Sequence, residues 1–188
     1  REMKVSIVMP VYNAEKYISQ SIKSILNQDH QDFELIIIND GSTDETENRI
    51  RPYFEDNRIK YYNVGRLGKI KAFNVGYKYV TTDFICFFHG DDIMNSDCLS
   101  SRIQCLDRST KQLVACCGKL ETISDNKKYN SILIPKGKKG SLSGQAVMYK
   151  KQLTDIIFPI PEMLPNEDFW MRLNIKYFSE ELIHVKNI

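Results

Sequence analysis

One stretch constrains this chain more than any other: Phe84-Ile85-Cys86-Phe87-Phe88-His89-Gly90-Asp91-Asp92, an unbroken apolar run that stops at a turn residue and two adjacent carboxylates. An apolar run of this length bounded by a turn describes a strand buried on both faces, as at the centre of a parallel sheet. Open α/β sheets bind ligands beyond the carboxyl ends of their strands, which is where Asp91 and Asp92 fall. Two hard oxygen donors there suit Mg²⁺ or Mn²⁺ and, through the ion, a diphosphate. Gly-Asp-Asp is equally ordinary turn chemistry, so the run alone leaves both readings standing.

The residues before it repeat one plan. Val5 to Val11 is a β-branched run ending at Tyr12-Asn13, followed by a helix whose Tyr17, Ile18, Ile22, Ile25 and Leu26 recur near the 3.6 period. Phe33 to Ile38 is a second strand, closed by Asn39-Asp40-Gly41-Ser42. Ser42 with Glu45 three residues on matches a capping box and predicts a helix start there. Ile59 to Tyr62 is a third strand, and the turn from Gly65 to Gly68 leads into a helix over 69–79. Successive β-then-α units imply right-handed crossovers and a mainly parallel, Rossmann-like nucleotide-binding sheet flanked by helices, hence an α/β fold. The second half is less regular. Its pattern predicts a helix over 99–106, a strand over 113–123, a flexible Lys-rich loop over 125–139 and a strand over 142–149. A helix over 166–176, with Phe169, Trp170 and Leu173 on one face, and a strand over 181–185 complete it.

The chain's 188 residues fit one domain with a sizeable core. A formal charge of +2 gives no case for a nucleic-acid partner. The basic clusters Lys127-Lys128 and Lys136, Lys138 and Lys139 read as a solvated loop, with an anionic acceptor or a membrane surface as the alternative. Five cysteines without a Cys-x-x-Cys pair suggest free thiols in a reducing compartment, with Cys86, Cys116 and Cys117 in the core. No run approaches the roughly 18 apolar residues of a membrane span, and no signal peptide is visible. The start at Arg1, almost directly into a strand, reads as a domain excised from a longer protein and cut short at its C-terminus.

Among candidate site residues, Asp40 lies at a strand end, where a carboxylate can accept from a base N–H or a ribose hydroxyl; a helix-start charge is its structural alternative. Pro10-Val11-Tyr12-Asn13-Ala14 replaces the Gly-x-Gly-x-x-Gly of a dinucleotide site. Lys69 and Lys71 open a helix after two glycines, suited to a phosphate or to solvent alone. Glu167-Asp168 begin a late helix: acids are favoured there by the dipole, Asp168 can pair with Arg172, and such a carboxylate is also well placed as a general base. His30 and His184 show no partners in sequence, whereas His89 adjoins Gly90-Asp91.

Six blocks occur in order: Val8-Met9-Pro10-Val11-Tyr12-Asn13, Ser24-Ile25-Leu26-Asn27-Gln28, Asn39-Asp40-Gly41-Ser42-Thr43-Asp44, Asn74-Val75-Gly76, Gly90-Asp91-Asp92 and Asn166-Glu167-Asp168-Phe169-Trp170-Met171-Arg172-Leu173. Together they strongly resemble the family-2 glycosyltransferases over nearly the whole chain. The resemblance implies a GT-A fold and inverting transfer from a nucleotide diphosphate sugar, UDP-linked, to a hydroxyl of a saccharide or lipid-linked acceptor in cell-surface polysaccharide or glycolipid synthesis. It implies one catalytic domain over 1–188, with a nucleotide-sugar-binding half over 1–98 and an acceptor-side half over 99–188. Pro10, Val11, Tyr12 and Asp40 would hold the nucleoside, Lys69 would stand near the base, and Asp168 would be the acceptor-side base. Asp91 and Asp92 match the acids of the family's metal-binding motif, whose first acid is His89 here. A His ligand favours Mn²⁺ over Mg²⁺. Asn39 stands where many members carry Asp. A cytoplasmic location, including the inner membrane face with peripheral attachment, and a homo-oligomer are compatible with this reading. The His89 departure motivates an alternative: a non-catalytic nucleotide-sugar-binding module, or one half of a partnered transferase.

Overall fold

The computed structural model describes residues 3–185, so the ends Arg1 and Ile188 lie outside the described residues. The elements run β1 (Val5–Val11), α1 (Ile18–Leu26), β2 (Phe33–Asn39), α2 (Thr46–Ile50), β3 (Ile59–Asn63), α3 (Lys69–Tyr77), β4 (Phe84–Phe87), α4 (Cys98–Arg108), β5 (Val114–Cys117), β6 (Leu120–Glu121), β7 (Leu133–Ile134), β8 (Val147–Lys150), α5 (Lys151–Ile157), α6 (Glu167–Phe178) and β9 (Glu181–His184). Seven strands form one sheet in the order β3-β2-β1-β4-β8-β5-β9. It is parallel except where β8 runs against β4 and β5, which confirms the expected α/β architecture.

The sequence begins at the middle of the sheet, moves outward through β2 and β3, and crosses back to β4 on the other side of β1. The order therefore reverses between β1 and β4, and a crevice opens beyond their carboxyl ends. Backbone bonds bind its two walls, with Phe88 N–H donating to the Val8 carbonyl at 2.9 Å.

Alternating strand residues divide the core into two layers. Val5, Ile7, Met9, Leu35, Ile37, Phe84 and Cys86 pack under Ile18, Ile22 and Ile25 of α1 and Leu99, Ile103 and Leu106 of α4. Val8, Ile36, Ile38, Ile85 and Phe87 face Phe73 of α3, Leu153 and Ile157 of α5, and Met171 and Ile175 of α6. Helix α3 lies so close to the sheet that a Cβ on Gly76 would stand 2.5 Å from Val8 Cγ1.

Several sequence expectations are corrected. The capping box does not form: α2 starts at Thr46, Asp44 Oδ1 accepts from the Thr46 N–H at 3.0 Å, and Ser42 Oγ accepts from the Asn13 N–H instead. The strand expected over 113–123 breaks at Gly118 into β5 and β6. The strand expected over 142–149 is confined to β8 after a single 3-10 turn, and α5 follows it without a break. The loop over 125–139 contains β7, which pairs with β6 as a two-stranded hairpin. In α6 the buried apolar residues are Met171 and Ile175, while Phe169 is exposed and Trp170 anchors by donating from Nε1 to the Ile157 carbonyl at 2.8 Å. His30 and His184 do have partners: His30 Nε2 lies 3.0 Å from the Met3 carbonyl, and His184 Nδ1 accepts from the Gly140 N–H at 2.9 Å. All five cysteines are free thiols. Among the described residues no helix is long and apolar enough to cross a membrane.

Candidate active site

The crevice beyond β1 and β4 holds a cavity of about 400 Å³ lined by Pro10, Val11, Tyr12, Asp40, Arg66, Lys69, His89 and Asp91, among others. Every donor-side residue expected from sequence is therefore brought to one place. Arg66, which the sequence did not single out, covers the end of it formed by Tyr12 and Asp40. Its guanidinium lies 3.8 Å over the Tyr12 ring and pairs with the Asp40 carboxylate. Asp40 Oδ1 also accepts from the N–H groups of Leu67 (2.6 Å) and Gly68 (2.9 Å). Asp40 thus shapes the loop that launches α3, and a base seated on Tyr12 would have to displace Arg66. Gly41 is required there, with φ +70° and room for no Cβ, which would stand 2.7 Å from Arg66 N. Asn39 is buried, donating to Tyr61 Oη (2.8 Å) and accepting from the Ser42 N–H (2.9 Å), so its amide supports the strand end.

Two of the six sequence blocks act as ties. Gln28 donates to the carbonyls of Asn95 (2.7 Å) and Met94 (3.3 Å) and accepts from the Leu99 N–H, while Ser24 Oγ accepts from the Met94 N–H. Together they clamp the loop after β4 onto α1. Asn74 exchanges two hydrogen bonds with Ile160, at 2.8 and 2.7 Å, holding the segment before α6 against α3.

That segment delivers α6. Asn166 caps the helix by accepting from the Phe169 N–H at 3.0 Å, which sets Glu167 and Asp168 in the first turn. Glu167 is buried at the tip of β4: Lys69 Nζ pairs with its Oε1, and His89 Nε2 lies 3.6 Å from the same oxygen. Burial pushes this carboxyl up, but His89 and Lys69 outweigh it and draw it down to about 2. Its own backbone N–H adds to that lowering. Asp168 Oδ1 accepts from the Gly144 N–H at 2.9 Å. Lys71 points elsewhere, 3.3 Å from Glu162.

His89, Asp91 and Asp92 offer ligand atoms that all lie within 4.8 Å of one another. Oδ2 of Asp92 is buried, 3.6 Å from His89 Nδ1 and without a hydrogen-bond donor. Burial pushes the Asp92 carboxyl up, with Asp91 and Asp168 reinforcing it against His89 and Lys69. Three convergent donors and an unmet buried oxygen fit a divalent cation. Asp168 lines neither this cavity nor the neighbouring one, but its charge reaches Asp92, so the acids of the β4 tip and of α6 share one electrostatic field.

Sequence comparison agrees with this arrangement. Residues 6–170 match the family described as glycosyl transferase family 2, and the chain belongs to that family. Relatives include an uncharacterised glycosyltransferase of Rickettsia bellii (37% identical over 58% of this chain and 16% of that one) and another of Haemophilus influenzae (30% over 97% and 55%). A third is the Escherichia coli UDP-Glc:alpha-D-GlcNAc-diphosphoundecaprenol beta-1,3-glucosyltransferase WfgD (35% over 70% and 51%). The chain thus spans from 16% to 55% of the length of these relatives. In fold it is similar to S. aureus TarS 1-349, at a TM-score of 0.80 with 22% identity, covering 98% of this chain and 58% of that one. TarS has also been solved with UDP-GlcNAc, at a TM-score of 0.79 and 21% identity over 98% and 56%. A Pyrobaculum calidifontis mannosyltransferase solved with GDP-Man and Mn²⁺ gives 0.73 at 16% identity, over 96% and 54%. The fold is GT-A.

Proposed function

We propose that this domain transfers a sugar from a nucleotide diphosphate sugar to an acceptor hydroxyl, with inversion at the anomeric carbon. The observation that carries this reading is the junction of the β4 tip with the first turn of α6, where Glu167 meets Lys69 and His89 beside Asp91, Asp92 and Asp168. The nucleoside would lie on Tyr12 against Val11 and Pro10, reaching Asp40 once Arg66 moves aside, and the freed guanidinium and Lys69 would oppose the diphosphate charge. Asp168, with Oδ1 fixed by Gly144, would present its other oxygen to the acceptor. As the acceptor oxygen bonds the anomeric carbon from the face opposite the diphosphate, the carbon–oxygen bond to the diphosphate breaks. The nucleoside diphosphate keeps that electron pair, and Asp168 takes the hydroxyl proton. His89, Asp91 and Asp92 would hold a divalent cation, which when bound neutralises charge on the leaving diphosphate; a His donor favours Mn²⁺ over Mg²⁺.

The UDP-linked ligands and donors in the names of TarS and WfgD support UDP as the carrier. The diphosphoundecaprenol acceptor in the name of WfgD supports a lipid-linked acceptor, and with it polysaccharide or glycolipid synthesis at the inner membrane face. Incubation with a panel of UDP- and GDP-sugars and Mn²⁺ tests the reading. Metal-dependent release of nucleoside diphosphate, accelerated by acceptor and giving a product of inverted configuration, is expected. Tight donor binding with no release under any condition would instead favour a non-catalytic module.

A further inference from the structure

Asp91 lines a second cavity, of about 390 Å³, between the β4 tip, α4 and the β6–β7 hairpin. Its wall is apolar in Phe88, Ile93, Met94, Leu120 and Ile134; the cations Arg102 and Lys119 line it together with the carboxylates of Asp91, Asp92 and Glu121. Arg102 is 5% exposed. Its Nη1 donates to the Gln145 carbonyl at 3.1 Å, and the ionisable groups that act on its charge are the thiols of Cys98, Cys86 and Cys116. Burial pushes each of those thiols up, so at neutral pH they carry no counter-charge. Among the described residues no carboxylate forms an ion pair with Arg102. A buried guanidinium without a counter-ion is costly, and one facing a cavity is matched by an anion entering that cavity.

We propose that this cavity is an acceptor subsite in which Arg102, assisted by Lys119, receives a phosphate ester of the acceptor while the apolar wall receives an adjoining alkyl chain, the carboxylates of Asp91 and Asp92 being left to the cation. The proposal rests on the transferase reading, because Asp91 belongs to both cavities and so places this one beside the crevice assigned to the donor. It goes beyond that reading in naming what the acceptor must carry. Arg102 here is a binding residue rather than a catalytic one.

Two measurements keep the proposals separable. Calorimetric titration with octyl phosphate, and with octanol as the uncharged control, reads the subsite without any turnover. Wild type is expected to bind octyl phosphate at least ten-fold more tightly than octanol. Arg102→Gln should erase that preference, Arg102→Lys should restore part of it, and Lys119→Ala should narrow it several-fold. If Arg102→Gln does not fold, Lys119→Ala and Arg102→Lys carry the test. Equal affinity for the two probes in wild type, or a preference that survives in Arg102→Gln or is untouched by Lys119→Ala, would overturn the subsite and leave Arg102 as a prop for Gln145. Nucleoside diphosphate release from donor sugars is measured in parallel. Release without a phosphate preference rejects the subsite alone, whereas phosphate-selective binding without release supports the subsite and rejects the transferase.

Discussion

Two buried glutamates stand at opposite ends of the same sheet and are held in opposite ways. Glu34, at the amino ends of the strands, accepts from Ser6 Oγ (2.5 Å), Thr81 N–H (3.1 Å) and Thr81 Oγ1 (2.9 Å), and pairs with Lys60 at 2.6 Å. Burial pushes its carboxyl up, but Lys60, Ser6 and Thr81 outweigh it and hold it below the usual 4.5. Glu167, at the carboxyl end, is as buried but is held mainly by two cationic side chains, Lys69 and His89, beside the further acids Asp91 and Asp92. An acid wrapped by hydroxyls and a backbone N–H rigidifies a fold, whereas one held by cations beside further acids is the arrangement found where a ligand is bound. Substitution should separate the two.

The largest effect belongs to the α6 turn. Asp168→Asn should lower turnover by about 10²–10⁴-fold, the range for loss of a general base, with nucleoside diphosphate affinity nearly unchanged. Steady-state kinetics beside equilibrium binding checks this, and lost donor binding with transfer intact would remove Asp168 from the role. Glu167→Gln should lower turnover or Mn²⁺ affinity by about 10–100-fold, as for a carboxylate that orients a metal-binding His, and should also lower the melting temperature, because its carboxyl is depressed in the folded state. Glu34→Gln should cost stability alone, about 2 kcal/mol, with turnover intact at low temperature. The pH dependence sharpens the contrast. Because Glu34 is depressed in the folded state, its contribution is full above 4.5 and disappears as pH falls through its lower folded value. Melting curves from pH 7 to pH 3 should therefore show the gap between wild type and Glu34→Gln closing at the acid end. A gap that widens there would contradict the assignment. The smallest effect is expected for Gly144→Ala, whose Cβ would sit 3.3 Å from Asp168 Oδ1. A shift of a few tenths of an ångström in that carboxylate should cost about 3–10-fold in turnover.

The first half was the more legible in sequence because each strand carries an apolar run and each ends in polar residues, so period and punctuation agree. The second half was less so. Strands of four residues such as β5 and β8, and two-residue β6 and β7, are too short to show alternation. Helix α5 was hidden because Lys150-Lys151 gives no start signal. The residues of the crevice beyond β1 and β4 could be named from block matches, but how they are held could not. Arg66 sits in a turn that looked like mere Gly-rich punctuation, and its partner Asp40 is distant in sequence. Glu167 looked like an ordinary helix-start acid, since nothing local announces that Lys69 and His89 will close on it. Gln28 and Asn74 lay inside recognised blocks, yet their work as clamps appears only when the loop after β4 and the segment before α6 are in place.

The most direct test is a crystal structure with UDP and Mn²⁺, read by the anomalous signal of the metal. The expected result is an ion held by Asp91 with His89 or Asp92, and a diphosphate lying between the β4 tip and the first turn of α6. A nucleotide bound with its phosphates touching neither element, or an ion ligated elsewhere, would contradict the idea that these two regions form one site.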